Sequence, residues 1–354
     1  MVKKNILFFL ISGILVIAII INIITLGMKV QFFAKALGED YIKWVEFQIP
    51  YSAMEKALAT DIKTKESHCH IGWVENLAYL ATKYGGNWKK YKSQDMTRYV
   101  ADRQNGKTVE ELCKSTWKYY TYYREAYEAV LGGMVGEYQI ESPDTVGTAQ
   151  PQMLTKYGLK AYSPIAYGYN FSHYDDFGNS REYGYKRKHL GNDLMGSVGT
   201  PIIAVESGTV EVAAWNQYGG WRVGIRSLDR KRYYYYAHLR KGHPFHPNIQ
   251  EGTVIQAGDV IGYLGMTGYS TKEDVNGMTE PHLHFGIQLI FDESQKEGNN
   301  EIWIDVYQIV KLLQKHTSPV VRNQDTADYD RKYRFIDPMV GSGIASQNRD
   351  GYIS

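Results

Sequence analysis

Residues 6–28 are apolar at nearly every position, with only Ser12, Asn22 and Thr25 interrupting the run. That is enough for a helix of about 20 residues to cross a bilayer. Lys3 and Lys4 precede it, which predicts a cytoplasmic start and an outward-facing remainder. The rival reading is a cleaved signal peptide, since Ala34-Lys35-Ala36 has the A-x-A form. The apolar run exceeds the usual core of about 7 to 15 residues, so residues 1–28 are read as a retained anchor.

After a mixed stretch over 30–40, the apolar period becomes helical from about 50 to 133. Ser52-Ala53-Met54-Glu55 and Thr108-Val109-Glu110-Glu111 have the form of capping boxes, and Gly85-Gly86 and Gly132-Gly133 supply stops. Trp73, Leu77, Leu80 and Ala81 make one stripe; Leu112, Tyr119, Tyr123, Tyr127 and Leu131 make another. A small all-α domain over 41–140 follows, with Glu75 as an exposed charge beside its stripe. Residues 141–155, with Ser142, Pro143, Asp144 and Gly147, have a linker's composition.

Beyond the linker the period changes to two. Short runs at 202–205, 210–214, 223–227, 232–238 and 261–264, separated by glycine-containing turns, predict a compact, mainly antiparallel β domain over 156–316. Alternation through Tyr233 to Tyr236 places His238 on the face of Tyr234 and Tyr236. A helix is expected over 304–315, and 317–354 reads as an irregular polar tail.

Two motifs within the β region carry chemistry. His189-Leu190-Gly191-Asn192-Asp193 is an H-x-x-x-D sequence, and Pro281-His282-Leu283-His284-Phe285 contains H-x-H. Catalytic zinc takes about three protein ligands and keeps one position for water. His189, Asp193 and one histidine of the His282/His284 pair supply such a set. Residues i and i+2 of a strand share a face, so His282 and His284 both look into one pocket. Gly191 argues against one helical turn, placing His189 and Asp193 on a loop entering a strand.

These residues, together with Tyr236-Ala237-His238-Leu239, Gly199-Thr200-Pro201, Ala204 to Val210, Tyr218-Gly219-Gly220 and the repeated glycines of 252–268, resemble the LytM/lysostaphin-type zinc metallopeptidases. Those bacterial enzymes cut the peptide part of peptidoglycan. The resemblance covers roughly 160–315 and implies His189, Asp193 and His284 as zinc ligands, with His238 and His282 as the catalytic pair. Gly286 departs from the pattern, standing where many members carry Glu, and 270–280 reads as an insertion. There is no H-E-x-x-H, so metal-free histidines take the place of a glutamate base. Tyr183 and Tyr185 are further candidate donors to an oxyanion.

Composition adds constraints. A net charge of +2 argues against a nucleic-acid partner, and thirty tyrosines suit half-buried sheet faces and wall contacts alike. Cys69 and Cys113 are open to pairing outside the membrane or to burial as thiols. His68-Cys69-His70 lacks a partner set at metal-site spacing. The expected protein is a single-pass cell-membrane enzyme with its catalytic domain on the wall side, hydrolysing amide bonds in peptidoglycan stems or cross-bridges. The competing reading is a non-enzymatic scaffold or activator with the same fold.

Overall fold

The computed structural model describes residues 41–182, 186–298 and 300–341. The expected membrane segment over 6–28 and the A-x-A site lie outside them. Among the described residues no helix is long and apolar enough to cross a membrane. The chain divides into two compact units, Met1–Trp44 and Val45–Ser354; of the first, only 41–44 are described.

The second unit opens with helices α1 (Tyr51–Thr64), α2 (Trp73–Tyr84), α3 (Ser93–Gln104) and α4 (Trp117–Leu131). The α2 stripe is buried as its spacing predicts: Trp73, Leu77, Leu80 and Ala81 all lie inside. Gly85 closes that helix, its N–H reaching the carbonyls of Ala81 and Thr82. The α4 stripe is rotated from the expected one. Tyr120, Tyr127, Val130 and Leu131 face inward, while Tyr119 is 39% exposed. Trp88 Nε1 donates to the buried Tyr127 hydroxyl at 2.9 Å, which ties α4 to the turn after α2.

The capping box at Thr108 forms in full; the one at Ser52 does not. Ser52 already lies inside α1, which starts at Tyr51 behind an extended Pro50. Glu55 instead accepts from Tyr51 and Lys315. Glu75 is likewise not a free charge, since Tyr99 and Arg103 both donate to it. Cys69 and Cys113 are both free thiols.

The strands follow as β1 (Val135–Glu141), β2 (Met153–Leu159), β3 (Ser172–His173), β4 (Ser180–Glu182), β5 (Lys186–Lys188), β6 (Asn192–Met195), β7 (Pro201–Ile203), β8 (Gly208–Asn216), β9 (Gly220–Ser227), β10 (Arg232–Ala237), β11 (Val254–Ile255), β12 (Val260–Tyr263), β13 (His282–Leu289) and β14 (Ile302–Ile304). Helix α5 (Tyr307–Leu313), strands β15 (Val320–Arg322), β16 (Tyr329–Arg331) and β17 (Phe335–Ile336), and a last short helix, α6 (Pro338–Gly341), follow. The eight-stranded sheet runs β11-β8-β9-β10-β13-β6-β3, with β14 also on β13. One face packs Val223, Ile225, Tyr234, Tyr236 and Phe285 into the core at 0% exposure. The other face, carrying Tyr233, Tyr235 and His284, lines a cleft.

Three boundaries differ from the sequence reading. Residues 141–155 are no linker: β1 pairs with β2 along its whole length, and Ser142 N donates to Gln152 O at 2.8 Å. The turn-forming residues therefore close a hairpin. The helix expected over 304–315 is shortened to Tyr307–Leu313 because Trp303 and Ile304 pair with β13. The described part of the tail, through 341, is not irregular: β15 pairs with β16, and β17 adds to β1. Asp328 accepts from Tyr263 and hydrogen-bonds His243, which fixes the tail to the β region.

Candidate metal centre

Asp193 on β6 and His284 on β13 are direct cross-strand partners, so their side chains stand side by side on the cleft face. His189 reaches them from the segment between β5 and β6, held by His189 N donating to Asn179 O and Gly178 N to His189 O, both at 2.8 Å. Gly191 makes this close approach possible. A Cβ there would collide with the Phe285 carbonyl and the His284 ring.

Three atoms converge. His189 Nε2 lies 2.8 Å from His284 Nδ1 and 3.0 Å from Asp193 Oδ1, and the last two are 3.2 Å apart. Of the described residues, His189, Asp193 and His284 form the group whose ligand atoms all lie within 4.8 Å of one another. Burial opposes the charge on His189, but hydrogen bonds and charges from Asp176 and Asp193 outweigh it and raise its pKa to about 9. Burial also opposes ionisation of Asp193, yet its bonds to His189 and His284 hold the carboxyl well below the usual carboxylate range. His284 is lowered, chiefly by burial.

A second layer orients these groups. The Arg181 guanidinium bridges Asp176 Oδ2 at 2.6 Å and Asp193 Oδ2 at 2.9 Å, leaving Asp193 Oδ1 to the convergence point. The carbonyl of Asp176 lies 3.1 Å from His189 Nδ1. A carbonyl only accepts, so Nδ1 keeps its proton, and it is Nε2 that gives one up to present a lone pair to a metal.

His238 and His282 share the cleft, their ring centroids 4.8 Å apart. His238 Nδ1 donates to Thr267 O at 2.8 Å, and His282 Nδ1 to Glu280 O at 2.9 Å. Each ring thereby turns Nε2 away from its carbonyl anchor; that of His282 lies 3.8 Å from Asp193 Oδ1. Burial, and then the neighbouring His282 and His284, push the His238 pKa well below its ordinary value. The expected face of His238 is corrected. Strand β10 ends at Ala237, and His238 has a φ of 63°, which turns its ring out to the cleft with Tyr235 rather than inward with Tyr234 and Tyr236. A positive φ at a histidine is strained and marks an over-determined position.

Gly286 also has a physical account. A Cβ there would strike the Leu190 carbonyl and the Trp303 ring. The indole of Trp303 occupies the place a side chain would take and packs edge-on to Tyr235 at 6.0 Å. In the 270–280 segment, Asp274 Oδ1 accepts from Trp221 Nε1 and Gly242 N. The cleft has a volume of about 470 Å³.

The remaining histidines lie elsewhere. His70 meets Asp61, His243 meets Asp328, His246 meets Asp330, and His316 stacks on Tyr162. Tyr183 and Tyr185 lie outside the described residues. Sequence reasoning missed Arg181, Asp176, Tyr235 and Trp303, which belong to no motif.

Residues 187–298 match Peptidase family M23. The chain is 36% identical over 153 residues to the L-Ala–D-Glu endopeptidase of Bacillus subtilis, covering 43% of this chain and 44% of that protein. It is 38% identical over 98 residues to lysostaphin of Staphylococcus simulans, covering 27% and 17%. The solved catalytic domain of Staphylococcus simulans lysostaphin is 29% identical, with 40% of this chain and 92% of that one covered and a TM-score of 0.32. The chain thus spans less than half the length of these two curated relatives. Residues 187–298 form a Peptidase family M23 domain of the LytM and lysostaphin type.

Proposed function

We propose that this protein is a zinc metalloendopeptidase, anchored in the cell membrane by residues 6–28, that hydrolyses amide bonds in the peptide stems or cross-bridges of bacterial peptidoglycan on the wall side. The observation that carries the reading is the convergence of His189 Nε2, Asp193 Oδ1 and His284 Nδ1 beside two further imidazoles. Apolar patterning and Lys3 and Lys4 support the anchor. The names of similar proteins, among them a peptidoglycan DD-endopeptidase of Vibrio cholerae, support the substrate.

The donor set fits zinc: two imidazole nitrogens, that of His189 deprotonated on binding, and one carboxylate oxygen, with the ligands held by outer partners. His189, Asp193 and His284 would hold the ion, and His238 and His282 would stay off it. When bound, zinc supplies a Lewis acid that polarises the scissile carbonyl and makes water a nucleophile near neutral pH. His282 and His238 handle the protons. Each Nδ1–H is committed to a backbone carbonyl, so each Nε2 is free to accept a proton from water or return one to the departing amine. Burial keeps His238 neutral.

The test pairs zinc analysis of the purified full-length protein with mass spectrometry of a peptidoglycan digest. One zinc per chain and new peptide-bond cleavage products are expected, with the products lost in His282→Ala. Zinc-loaded protein that releases no peptide product from any wall overturns the hydrolase reading.

A further inference from the structure

The cleft continues from His284 to Tyr235, whose ring stands edge-on to the imidazole at 5.7 Å. Burial raises the Tyr235 phenol, and Arg222 acts against that rise by its charge and by a hydrogen bond with the phenol, as does the charge of Arg187; both arginines line the cleft. Three other arginines near the site and in the sheet are neutralised by carboxylates. Arg181 meets Asp176 and Asp193; Arg226 meets Glu211 and Glu293; Arg232 meets Glu206 and Asp229. Neither Arg187 nor Arg222 forms an ion pair among the described residues.

Arg187 is nevertheless held in place. It donates to the Tyr269 hydroxyl at 2.7 Å and lies over the rings of Tyr218 and Tyr269, 4.7 and 5.0 Å from their centroids. Arg222 carries a buried Nε with no hydrogen-bond partner. A buried charged donor without an acceptor is unfavourable until one arrives. The acids on the rim, Glu297 and Glu301, are exposed, and Glu301 already accepts from Trp303 Nε1. The cleft wall therefore offers cations without counter-ions, among them two planar guanidinia, the chemistry that reads a carboxylate in two-point contact.

We propose that Arg187 and Arg222 form a carboxylate-reading subsite beside the metal centre, so that the preferred substrate is an acidic peptide with a free carboxylate on the residue flanking the scissile amide. The inference rests on the peptidase reading above and narrows it. A cross-bridge of neutral residues leaves both guanidinia without a counter-ion, and the enzyme discriminates against it for that reason.

Binding and turnover are measured separately on the zinc-loaded full-length protein. The probes are a fluorescein-labelled L-Ala–γ-D-Glu–L-Lys peptide with a free α-carboxylate and the same peptide as its α-carboxamide. Anisotropy is expected to show the acid bound about tenfold tighter than the amide, the effect of one charge-assisted contact. The ratio is expected to fall to near one in Arg222→Gln, to fall in Arg187→Gln, and to survive in part in Arg222→Lys. Equal affinity for acid and amide in the unaltered protein overturns the subsite, with no variant needed. A ratio unchanged in both glutamine variants overturns the assignment to these arginines. Retained acid preference without cleavage of either peptide supports the subsite and counts against the hydrolase reading, so the two failures are distinguishable.

Discussion

On the proposed function, single residues separate metal holding from proton transfer. Asp193→Ala and His284→Ala each remove a converging donor and are expected to lose most bound zinc by elemental analysis, whereas His282→Ala is expected to keep it and lose turnover by about 10²- to 10⁴-fold. Arg181 gives an intermediate case. Arg181→Gln frees Asp193 Oδ2 without touching Oδ1, and zinc affinity is expected to fall about 10- to 100-fold in a competition titration with a chelator. A second residue reports through pH. His173 has a buried Nε2 with no partner, and burial, only partly offset by Asp176, lowers its pKa to about 4. Its folded pKa is thus below the ordinary value of about 6.5, so the unfolded chain takes the proton first. Stability from this group is complete above about pH 6.5 and is lost as pH falls toward 4, on the order of 1 to 2 kcal/mol at pH 5. Melting curves across that window are expected to show a shallower acid slope in His173→Gln; an unchanged slope contradicts the assignment.

The β6–β13 pair shows how much of the site could be read from sequence. His282 and His284 share a face because strands repeat every two residues, and Asp193 opposes His284 in the sheet register. Motif spacing is legible because it is local. His238 was misplaced by the same rule, since period two holds only while φ stays extended, and its left-handed φ of 63° leaves no mark in the alternation of Tyr233 to Tyr236. Asp176 sits in the loop before β4 and Arg181 on β4 itself, and only tertiary contact gives them a role. The fold was read unevenly for related reasons. The buried stripe of α2 followed its spacing, but the hairpin at 135–159 passed for a linker because Pro143, Asp144 and Gly147 serve either. Gly191→Ala tests the element directly. Its Cβ meets the Phe285 carbonyl and the His284 ring, so β6 and β13 must part at the centre, and a stability loss of about 1 to 3 kcal/mol with disproportionate loss of zinc is expected from melting and metal analysis.

At the scale of the molecule, the helical segment and the β region share interior rather than a hinge. Arg232, with no exposed surface, binds Glu206 and Asp229 through its guanidinium and donates to the carbonyl of Ala129 at 2.7 Å, the last turn of α4. Tyr234 donates to the same Glu206. Asp61 of α1 accepts from Tyr157 of β2 at 2.7 Å, and Tyr51 N donates to Gln308 on α5 at 2.9 Å. Strand β17 reaches back to β1. A fragment starting near 150 therefore strips Arg232 of its helix-end acceptor, β2 and β17 of their shared neighbour, and α5 of a packed helix. Arg232 keeps Glu206 and Asp229 but loses its backbone acceptor, and a buried donor left unpaired costs about 1 to 3 kcal/mol. A stability on the order of 5 to 15 kcal/mol leaves little margin for that together with the lost strand and helix contacts. The fragment is expected to melt well below the longer unit beginning near 45, or to aggregate. Glu206→Gln within the longer unit separates the two contributions. It removes the charge but keeps the shape, so a large fall in melting temperature assigns the coupling to the buried ion pair, and a small one assigns it to the strand and helix packing.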